Sequence, residues 1–335
     1  MADLERIVAT VRASRGFAHK RDIGAVMGWL EGTPLGICEV PNGDDCAVLP
    51  DPCGQGHLLL AIEGLVRDFV EAMPWFAGYS GVMVNLSDIA AMGGRAVAVV
   101  DALWSDGGPM AAEMLAGMRA AAERYGVPLV GGHTNLRAEG AQLAVSVLGR
   151  ATRLIQSFTA RPGDVLLMAV DLRGHWHDPY PFWDASTEAP AQRLRGDMEM
   201  LPLLAESGLV DAGKDISMAG VLGTLLMLIE CSRVGARVRL HDLPRPASVM
   251  GDDADRSALL RWLAAFPSFG HLLSVRPQHA EEVTSRFRSR GIACNAIGDV
   301  VPGSRLTLVD GDGDHEAVLW DLSTEPFITA QARHG

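Results

Sequence analysis

The chain has 335 residues, of which 48% are hydrophobic and 21% are charged, and its formal net charge at pH 7 is -12. This length predicts two domains with separate cores, and an acidic balance without a basic stripe argues against binding to nucleic acid. Five scattered cysteines fit a reducing compartment and argue against a structural zinc site, and no apolar run reaches membrane-spanning length, so we expect a cytoplasmic protein without a membrane contact.

The first half of the chain alternates apolar runs with segments of helical periodicity. This pattern predicts helices at 4–14, 20–31, 80–92 and 110–125, with a loop at 14–19 between the first two. The apolar runs predict strands at 46–50, 57–63, 96–101, 127–131 and 142–149. Together these elements predict one α+β unit.

The second half begins at a turn, Arg161-Pro162-Gly163-Asp164, which leads into a predicted strand at 165–170. Further helices are predicted at 190–206, 216–230, 255–265 and 279–290, and further strands at 236–240, 271–275, 294–300 and 305–309. This mixed order favours two α+β domains, at 1–155 and 156–335, over one doubly wound sheet.

Two adjacent carboxylates stand before the first predicted strand. Asp44 and Asp45 follow Gly43 and precede the apolar run 46–49, so we expect their oxygens at the mouth of that strand. Mg²⁺ prefers such oxygen ligands and is usually completed by substrate phosphates. The alternative is an ordinary turn, because Asn-Gly-Asp-Asp is also good turn chemistry.

A third carboxylate lies on the predicted helix 80–92. Asn85 and Asp88 are three residues apart and share one face, which we expect to point outward. The neighbouring alanines offer Asp88 no charge to pair with, which is unusual on a solvent face and natural for a metal ligand. The alternative is a solvated amphipathic helix that ends at Gly93-Gly94.

Three further segments carry candidate ligand-binding groups. The segment Gly131-Gly132-His133-Thr134-Asn135 follows a strand, where glycines allow close backbone approach to a ligand, although a tight turn explains it equally well. His133 could bind metal or phosphate, or serve the structure alone. Asp215 and Ser217 precede an apolar helix, where they could cap it or help to hold an anion. Lys20 could reach a phosphate or remain a surface charge.

An aromatic segment, His175-Trp176-His177-Asp178-Pro179-Tyr180-Pro181-Phe182-Trp183, follows a strand of the second unit. Its His-x-His pair could bind zinc, but neither a cysteine nor a glutamate stands at the usual spacing to complete a site. The composition therefore favours an aromatic loop that covers a ligand or forms a dimer contact.

An ordered set of motifs resembles the aminoimidazole ribonucleotide (AIR) synthetase superfamily, also called PurM-like. The motifs are Gly43-Asp44-Asp45-Cys46-Ala47-Val48-Leu49, Asn85-Leu86-Ser87-Asp88-Ile89-Ala90-Ala91-Met92-Gly93, Gly131-Gly132-His133-Thr134, Arg161-Pro162-Gly163-Asp164 and Asp215-Ile216-Ser217. The set runs from about residue 40 to residue 310, and its order and spacing match an AIR synthase-related branch near thiamine-monophosphate kinase and selenophosphate synthetase.

The resemblance implies a two-domain α+β fold that binds ATP and Mg²⁺. In it the N-terminal domain forms an intersubunit β-barrel in a homodimer, and the C-terminal domain is an α+β sandwich. It implies Mg²⁺ or phosphate ligation by Asp44, Asp45, Asp88 and Asp215. It also implies nucleotide contacts from Gly43, Asp44, Asp45, Glu63, Asn85, Gly131, Gly132, Thr134, Asn135 and Ser217.

The function that follows is Mg-ATP-dependent phosphoryl transfer to a small molecule, with catalytic roles for Asp88, His133 and Lys20. Two departures from the family pattern favour an alternative, a catalytically silent nucleotide-binding or scaffold protein. His133 stands where kinase-like members carry an acid, and Met218-Ala219 replaces an acidic or glycine pair. The acceptor itself has no signature in the sequence.

Overall fold

The structure is a computed structural model that describes residues 2–30, 32–34, 36–249, 256–311, 313 and 315–329. Residues 31 and 255, at the ends of two predicted helices, lie outside the described residues. Within that part of the chain, no helix combines the length and the apolar composition needed to cross a membrane.

The described residues of the first half form five strands and five helices. They are α1 (Ala2–Arg12), α2 (Arg15–Trp29), β1 (Ala47–Pro50), β2 (His57–Leu65), α3 (Arg67–Ala72), α4 (Pro74–Ala91), β3 (Arg95–Trp104), α5 (Gly108–Tyr125), β4 (Leu129–Asn135) and β5 (Gln142–Ala151). The strands make one sheet in the order β1-β2-β5-β3-β4, with β3 and β4 parallel and the other neighbours antiparallel.

The second half carries a larger sheet and a separate hairpin. Its elements are β6 (Val165–Val170), β7 (His175–His177), β8 (Phe182–Asp184), α6 (Ala191–Met198), α7 (Met200–Glu206), β9 (Ala212–Asp215), α8 (Gly220–Ser232), β10 (Gly235–Arg239), α9 (Arg256–Leu263), β11 (Gly270–Val275), α10 (Pro277–Ser289), β12 (Ala293–Val301), β13 (Arg305–Asp310) and β14 (His315–Asp321), with 3-10 turns at Leu240–Asp242 and Ala247–Val249. The seven-stranded sheet runs β14-β13-β10-β12-β6-β11-β9, and β7 pairs only with β8.

Helix α4 is the centre of the first unit. Fifteen of its 18 residues are buried, because it packs on β2, β5 and α5 and also reaches β9 of the second unit. Glycines allow the close crossing of α4 and α5, since a Cβ atom at Gly78 would stand 2.0 Å from the carbonyl oxygen of Met114. The expectation of an amphipathic helix with Asp88 pointing outward is therefore wrong, because α4 is covered on all sides.

The first sheet buries only one of its faces. Along β5, buried residues alternate with exposed or half-buried ones, and the buried set packs against α4. The other face carries exposed aliphatic side chains from four strands, namely Leu60, Ile62, Val97, Val100, Val130 and Leu148. We refer to this face of the sheet, which carries the six exposed aliphatic residues, as the open sheet face.

Helices α1 and α2 pack on the second sheet, although they belong to the first half of the chain. Leu4 and Phe17 share one core with residues 221–229 and with Trp320. The predicted loop at 14–19 is wrong, because Ser14 caps α2 by accepting a hydrogen bond from the N–H of Phe17 at 3.4 Å. The predicted domain boundary between residues 155 and 156 stays a prediction. Helices α1 and α2 come before this boundary in the chain but pack against residues that come after it.

Candidate active site

Three carboxylates from distant parts of the sequence meet where the two sheets approach each other. Asp45 precedes β1, Asp88 lies in the last turn of α4, and Asp215 ends β9. One oxygen from each side chain lies within 4.8 Å of the other two. Asp88 and Asp215 are only 5% and 1% exposed, so water screens their charges little. We call Asp45, Asp88 and Asp215 the carboxylate cluster.

One buried lysine partly neutralises the carboxylate cluster. The Nζ atom of Lys214 donates to Oδ1 of Asp45 at 2.5 Å and lies 3.9 Å from Oδ1 of Asp44. The backbone N–H of Asp215 donates to the other oxygen of Asp45 at 3.3 Å. Strand β9 therefore fixes the Asp45 carboxylate from two consecutive residues.

Asp44 lies beside the carboxylate cluster, and its carboxylate is held by Ser157. Its two oxygens accept hydrogen bonds from Ser157, one from the backbone N–H at 2.8 Å and one from the hydroxyl at 2.7 Å. The N–H of Asp45 also donates to Asp44 at 3.0 Å. These bonds hold the loop before β1 against the segment after β5, so in this structure Asp44 acts as a positioning residue for Asp45.

The buried carboxylates are hard to ionise in the protein alone. Burial raises the pKa of Asp88 well above its usual range, and the charges of Asp215, Glu63 and Asp45 raise it further. Burial, with Asp45, raises the pKa of Asp215 to about 8. Asp88 also stands in the last turn of α4, where the helix dipole disfavours a negative charge. A divalent cation would remove these penalties, because it stabilises the ionised form of every carboxylate around it.

Glu63 and Lys20 stand at the edge of the carboxylate cluster. Glu63 is on β2, and burial raises its pKa while the charge of Lys20 lowers it. The charge of Lys20, on α2, also lowers the pKa of Asp215. Glu63 and Lys20 both line a cavity of about 120 Å³, which Asp215 and Ser217 also line.

Several buried polar atoms at this cavity have no hydrogen-bond partner among the described residues. They include Oδ2 of Asp215 and the hydroxyls of Ser217 and Ser80, and all three residues line the cavity. Leaving such a group unsatisfied costs about 1–3 kcal/mol. Polar groups left this way beside clustered carboxylates fit a site whose ligand supplies the missing contacts.

A second cavity of about 220 Å³ adjoins the first and is largely aromatic. The two cavities share Val66, Phe69, Phe182, Met218 and Phe266 as lining residues. The second cavity also has Arg15 and His19 in its wall. A larger open groove of about 780 Å³ lies over α5, but none of the clustered carboxylates lines it.

Asn85 is buried one turn before Asp88 and joins α4 to the sheet. Its amide nitrogen donates to the carbonyl oxygens of Gly81, at 2.7 Å, and Val145, at 2.9 Å. Its side-chain oxygen is buried without a partner among the described residues. The amide nitrogen therefore serves packing in this structure, and the oxygen remains available to a ligand.

The residues of the segment 131–135 lie apart from the carboxylate cluster. They form most of β4, an edge strand, and Gly131, Gly132, His133, Thr134 and Asn135 are all exposed. In the sheet register His133 pairs with Ala102, which pairs with Ala144 and through it with Gly64. Since paired residues share a face, His133 is on the open sheet face, opposite the face that carries Glu63.

Gly43 lies in the loop that carries Asp44 and Asp45. Its φ of 124° is in the region that favours glycine, and a Cβ atom there would lie 3.3 Å from the sulfur of Cys231. The carbonyl oxygen of Gly43 accepts a weak contact from that thiol at 3.6 Å. Gly43 thus allows the tight path that brings Asp45 to Lys214.

The comparisons with known proteins decide the family. Residues 43–151 match the model described as AIR synthase related protein, N-terminal domain, and residues 161–311 match the corresponding C-terminal domain. The Synechocystis sp. protein sll0787 is 42% identical over 326 residues, which cover 97% of this chain and 98% of that relative. The chain belongs to the AIR synthase-related family.

Members of the AIR synthase-related family and its structural neighbours include nucleotide-using proteins. The thiamine-monophosphate kinase of Synechococcus elongatus is 30% identical, over 65% of this chain and 73% of its own. The structure of Thermotoga maritima PurL complexed with ATP superposes with a TM-score of 0.69 at 18% identity, covering 97% of this chain and about half, 52%, of PurL. The predicted two-domain α+β, PurM-like fold is confirmed.

The sequence reasoning missed Lys214 and Ser157, which position the two adjacent aspartates. Lys214 could have been noticed, because a lysine directly before Asp215 in a short apolar context is unusual for a solvated residue. It also missed His271, a half-buried neighbour of Asp215 in the sheet whose pKa is lowered to about 4 by desolvation. Ser157 has no comparable signal, since only the fold brings it to Asp44.

Proposed function

We propose that this protein is an enzyme that transfers the γ-phosphoryl group of Mg-ATP to a small-molecule acceptor. The observation that carries the proposal is the carboxylate cluster, in which Asp88 and Asp215 are buried and Asp45 is paired with Lys214. Relatives named as kinases and a structural neighbour complexed with ATP support the same conclusion. The chemistry of the donor set agrees, because an all-oxygen cluster suits Mg²⁺.

Asp45, Asp88 and Asp215 would hold Mg²⁺ at the phosphates. The ion would supply positive charge that neutralises the phosphate oxygens. In the reaction the acceptor's nucleophilic atom bonds to the γ-phosphorus, the bond from that phosphorus to the β–γ bridging oxygen breaks, and ADP leaves. Lys214 keeps the carboxylate of Asp45 in place, and the charge of Lys20 would favour phosphate oxygens at the cavity wall. The protein thus contributes mainly positioning and electrostatic stabilisation.

The acceptor would occupy the joined aromatic cavities beside the carboxylate cluster. Phe69, Phe182 and Phe266 offer apolar faces, while Arg15 and His19 stand in the more distant wall. This lining suits a small molecule with an apolar or aromatic ring and a polar group directed at Lys20 and Glu63. Binding there would also exclude water from the reacting phosphate.

A homodimer formed through the open sheet face is part of this proposal. Six exposed aliphatic side chains on one face of a sheet form an apolar patch, whereas exposed apolar residues elsewhere on a surface usually stand singly. The same face of a second copy would bury this patch. The glycine-rich segment 131–135 belongs to the edge strand β4 beside that face. In such a dimer this segment, with His133, would stand near the partner, where it could contact nucleotide.

The direct test is ADP release in the presence of ATP and Mg²⁺ over a set of small-molecule acceptors. Asp88→Asn should reduce turnover by on the order of 10²-fold or more, as removal of a positioned electrostatic group does. Asp106→Asn, an exposed aspartate after β3, is the matched control and should leave turnover unchanged. Binding of ATP in calorimetry without turnover on any acceptor would overturn the enzymatic role and favour a silent nucleotide-binding protein.

A further inference from the structure

The hairpin β7–β8 gathers three metal-binding side chains on one of its faces. His175 and His177 are two residues apart on β7 and therefore share a face, and Asp184 is the cross-strand partner of His175. The tryptophans of the hairpin, Trp176 and Trp183, occupy the opposite face and pack on each other with ring centroids 5.1 Å apart. The strand pairing thus places the three donors, with Phe182, on one face and the two tryptophans on the other.

The three donor atoms are close enough to share one ion. Nε2 of His177 lies 3.0 Å from Oδ2 of Asp184, and Nε2 of His175 lies 3.8 Å from the same oxygen. One ligand atom from each residue lies within 4.8 Å of the others. A tetrahedral zinc ion with bonds of about 2.0–2.1 Å places its ligands about 3.3 Å apart, so these donors need only small movements to bind it.

Neighbouring groups hold two of the three donors in position. Oδ1 of Asp184 accepts hydrogen bonds from the backbone N–H groups of Ser186, at 2.8 Å, and Thr187, at 2.9 Å. Oδ2 accepts a hydrogen bond from the hydroxyl of Thr187. The ring of His177 stacks on Phe76 at 4.2 Å. Hydrogen-bonded and stacked ligands of this kind are the usual outer support of a metal site.

A simple ion pair accounts for only part of this arrangement. A hydrogen bond between Nε2 of His177 and Asp184 explains the 3.0 Å contact, but His175 is too far from the carboxylate for a hydrogen bond and still directs Nε2 toward it. The side chain of Asp184 is fully buried, whereas that of His175 is 45% exposed. This difference leaves solvent access on one side, where a water molecule could complete four-coordination.

We propose that His175, His177 and Asp184 bind one transition-metal ion of the zinc class. Two imidazoles and a carboxylate select Zn²⁺ or a similar ion over Mg²⁺, which distinguishes this site from the all-oxygen carboxylate cluster. Tyr180, between the two strands, and Phe182, the first residue of β8, both line the aromatic cavity. The bound ion therefore fixes the hairpin that forms one wall of that cavity.

The test is Zn²⁺ titration of the full chain, freed of any affinity tag and of metal by dialysis against a chelator. Competition with a chromophoric chelator should give one Zn²⁺ per chain at this site, with no displacement by Mg²⁺. His175→Ala should weaken that binding by at least about 10-fold. His241→Ala, an exposed histidine on another surface, is the control and should bind as the native chain does.

Two further measurements separate this site from the carboxylate cluster. Co²⁺ bound to the native chain should show the visible absorption of a tetrahedral ion, which His175→Ala should lose and Asp88→Asn should keep. His175→Gln serves in place of His175→Ala if circular dichroism shows that the alanine variant is unfolded. The proposal is overturned if the native chain takes up no zinc, or if a folded His175 variant retains both the affinity and the cobalt spectrum.

Discussion

Lys214 donates to Asp45 at 2.5 Å across a separation of 169 residues, and this contact links the two halves of the chain inside the candidate active site. Both side chains are at most 6% exposed. Burial lowers the pKa of Lys214, but Asp45 and Asp44 raise it by more, so the lysine stays charged. A buried pair of this kind is costly to break, because the charge that remains has no partner.

Lys214→Met should therefore destabilise the protein strongly. We expect the free energy of unfolding in urea, measured without divalent ions, to fall by about 3–5 kcal/mol, because Asp45 would stay buried without its counter-charge. Arg119→Met, at an exposed position on α5, should change it by less than about 0.5 kcal/mol. A loss for Lys214→Met as small as that of the control would show that the ion pair contributes nothing to stability.

The pH dependence of stability should report the buried Asp215. Its pKa is about 8 in the folded protein against 3.8 for an unperturbed aspartate, so between these values the folded state holds a proton that the unfolded state has lost. Stability should then fall as pH rises through this interval. The effect can be measured as the unfolding temperature of the metal-free protein between about pH 5 and about pH 8. This range begins about one pH unit above the pKa of an unperturbed aspartate and ends at the pKa of Asp215 in the folded protein.

Asp215→Asn should reduce the slope of this pH profile, while Asp88 and Glu63, whose pKa values are also raised, keep part of it. Saturating Mg²⁺ should reverse the slope of the native profile, because the ion binds the deprotonated carboxylates. A profile that is the same in the native chain and in Asp215→Asn would remove Asp215 as the source.

Asn85→Ala distinguishes a packing role from a nucleotide contact. Loss of two hydrogen bonds to buried backbone carbonyls should lower the free energy of unfolding by about 1–3 kcal/mol. If the side-chain oxygen also contacts nucleotide, ATP affinity in calorimetry should fall as well. A variant with native stability would contradict the packing role assigned here.

Ile62→Asp should prevent association through the open sheet face. Ile62 is 70% exposed in the single chain, and a carboxylate there would be buried without a partner between two copies. Sedimentation should show a dimer for the native chain and a monomer for the variant. Leu203→Asp, at an exposed leucine on α7, should remain dimeric. A native chain that sediments as a monomer would refute this interface.

Hydrophobic periodicity predicted most helices and strands, because buried and exposed residues recur in them at regular intervals. Strand β5 alternates strictly, and the apolar run at 165–170 became the central strand β6. The predicted helix 190–206 is two helices that meet at Glu199, and the predicted helix 216–230 begins only at Gly220, after β9. Strand β9 was missed because four residues, including a lysine and an aspartate, carry no strand pattern; their burial comes from the tertiary fold.

The sequence indicated the acidic members of the candidate site, and it also named Lys20 and Ser217, which line the cavity beside them. Asp45, Asp88 and Asp215 stand in recognisable motifs, and the fold brings them together. The sequence could not show that Asp44 turns to Ser157, since that depends on a contact across 113 residues. It also rejected a metal site at His175 and His177 for want of a third ligand, because Asp184 reaches them only through hairpin pairing.

The ligand set of the carboxylate cluster is divided between the two halves of the chain. Asp45 and Asp88 belong to the first sheet's unit, whereas Asp215 and its neighbour Lys214 belong to the second. Neither fragment of a cleaved chain would possess all three aspartates of the proposed Mg²⁺ site. The three aspartates can therefore meet only when the two halves are docked.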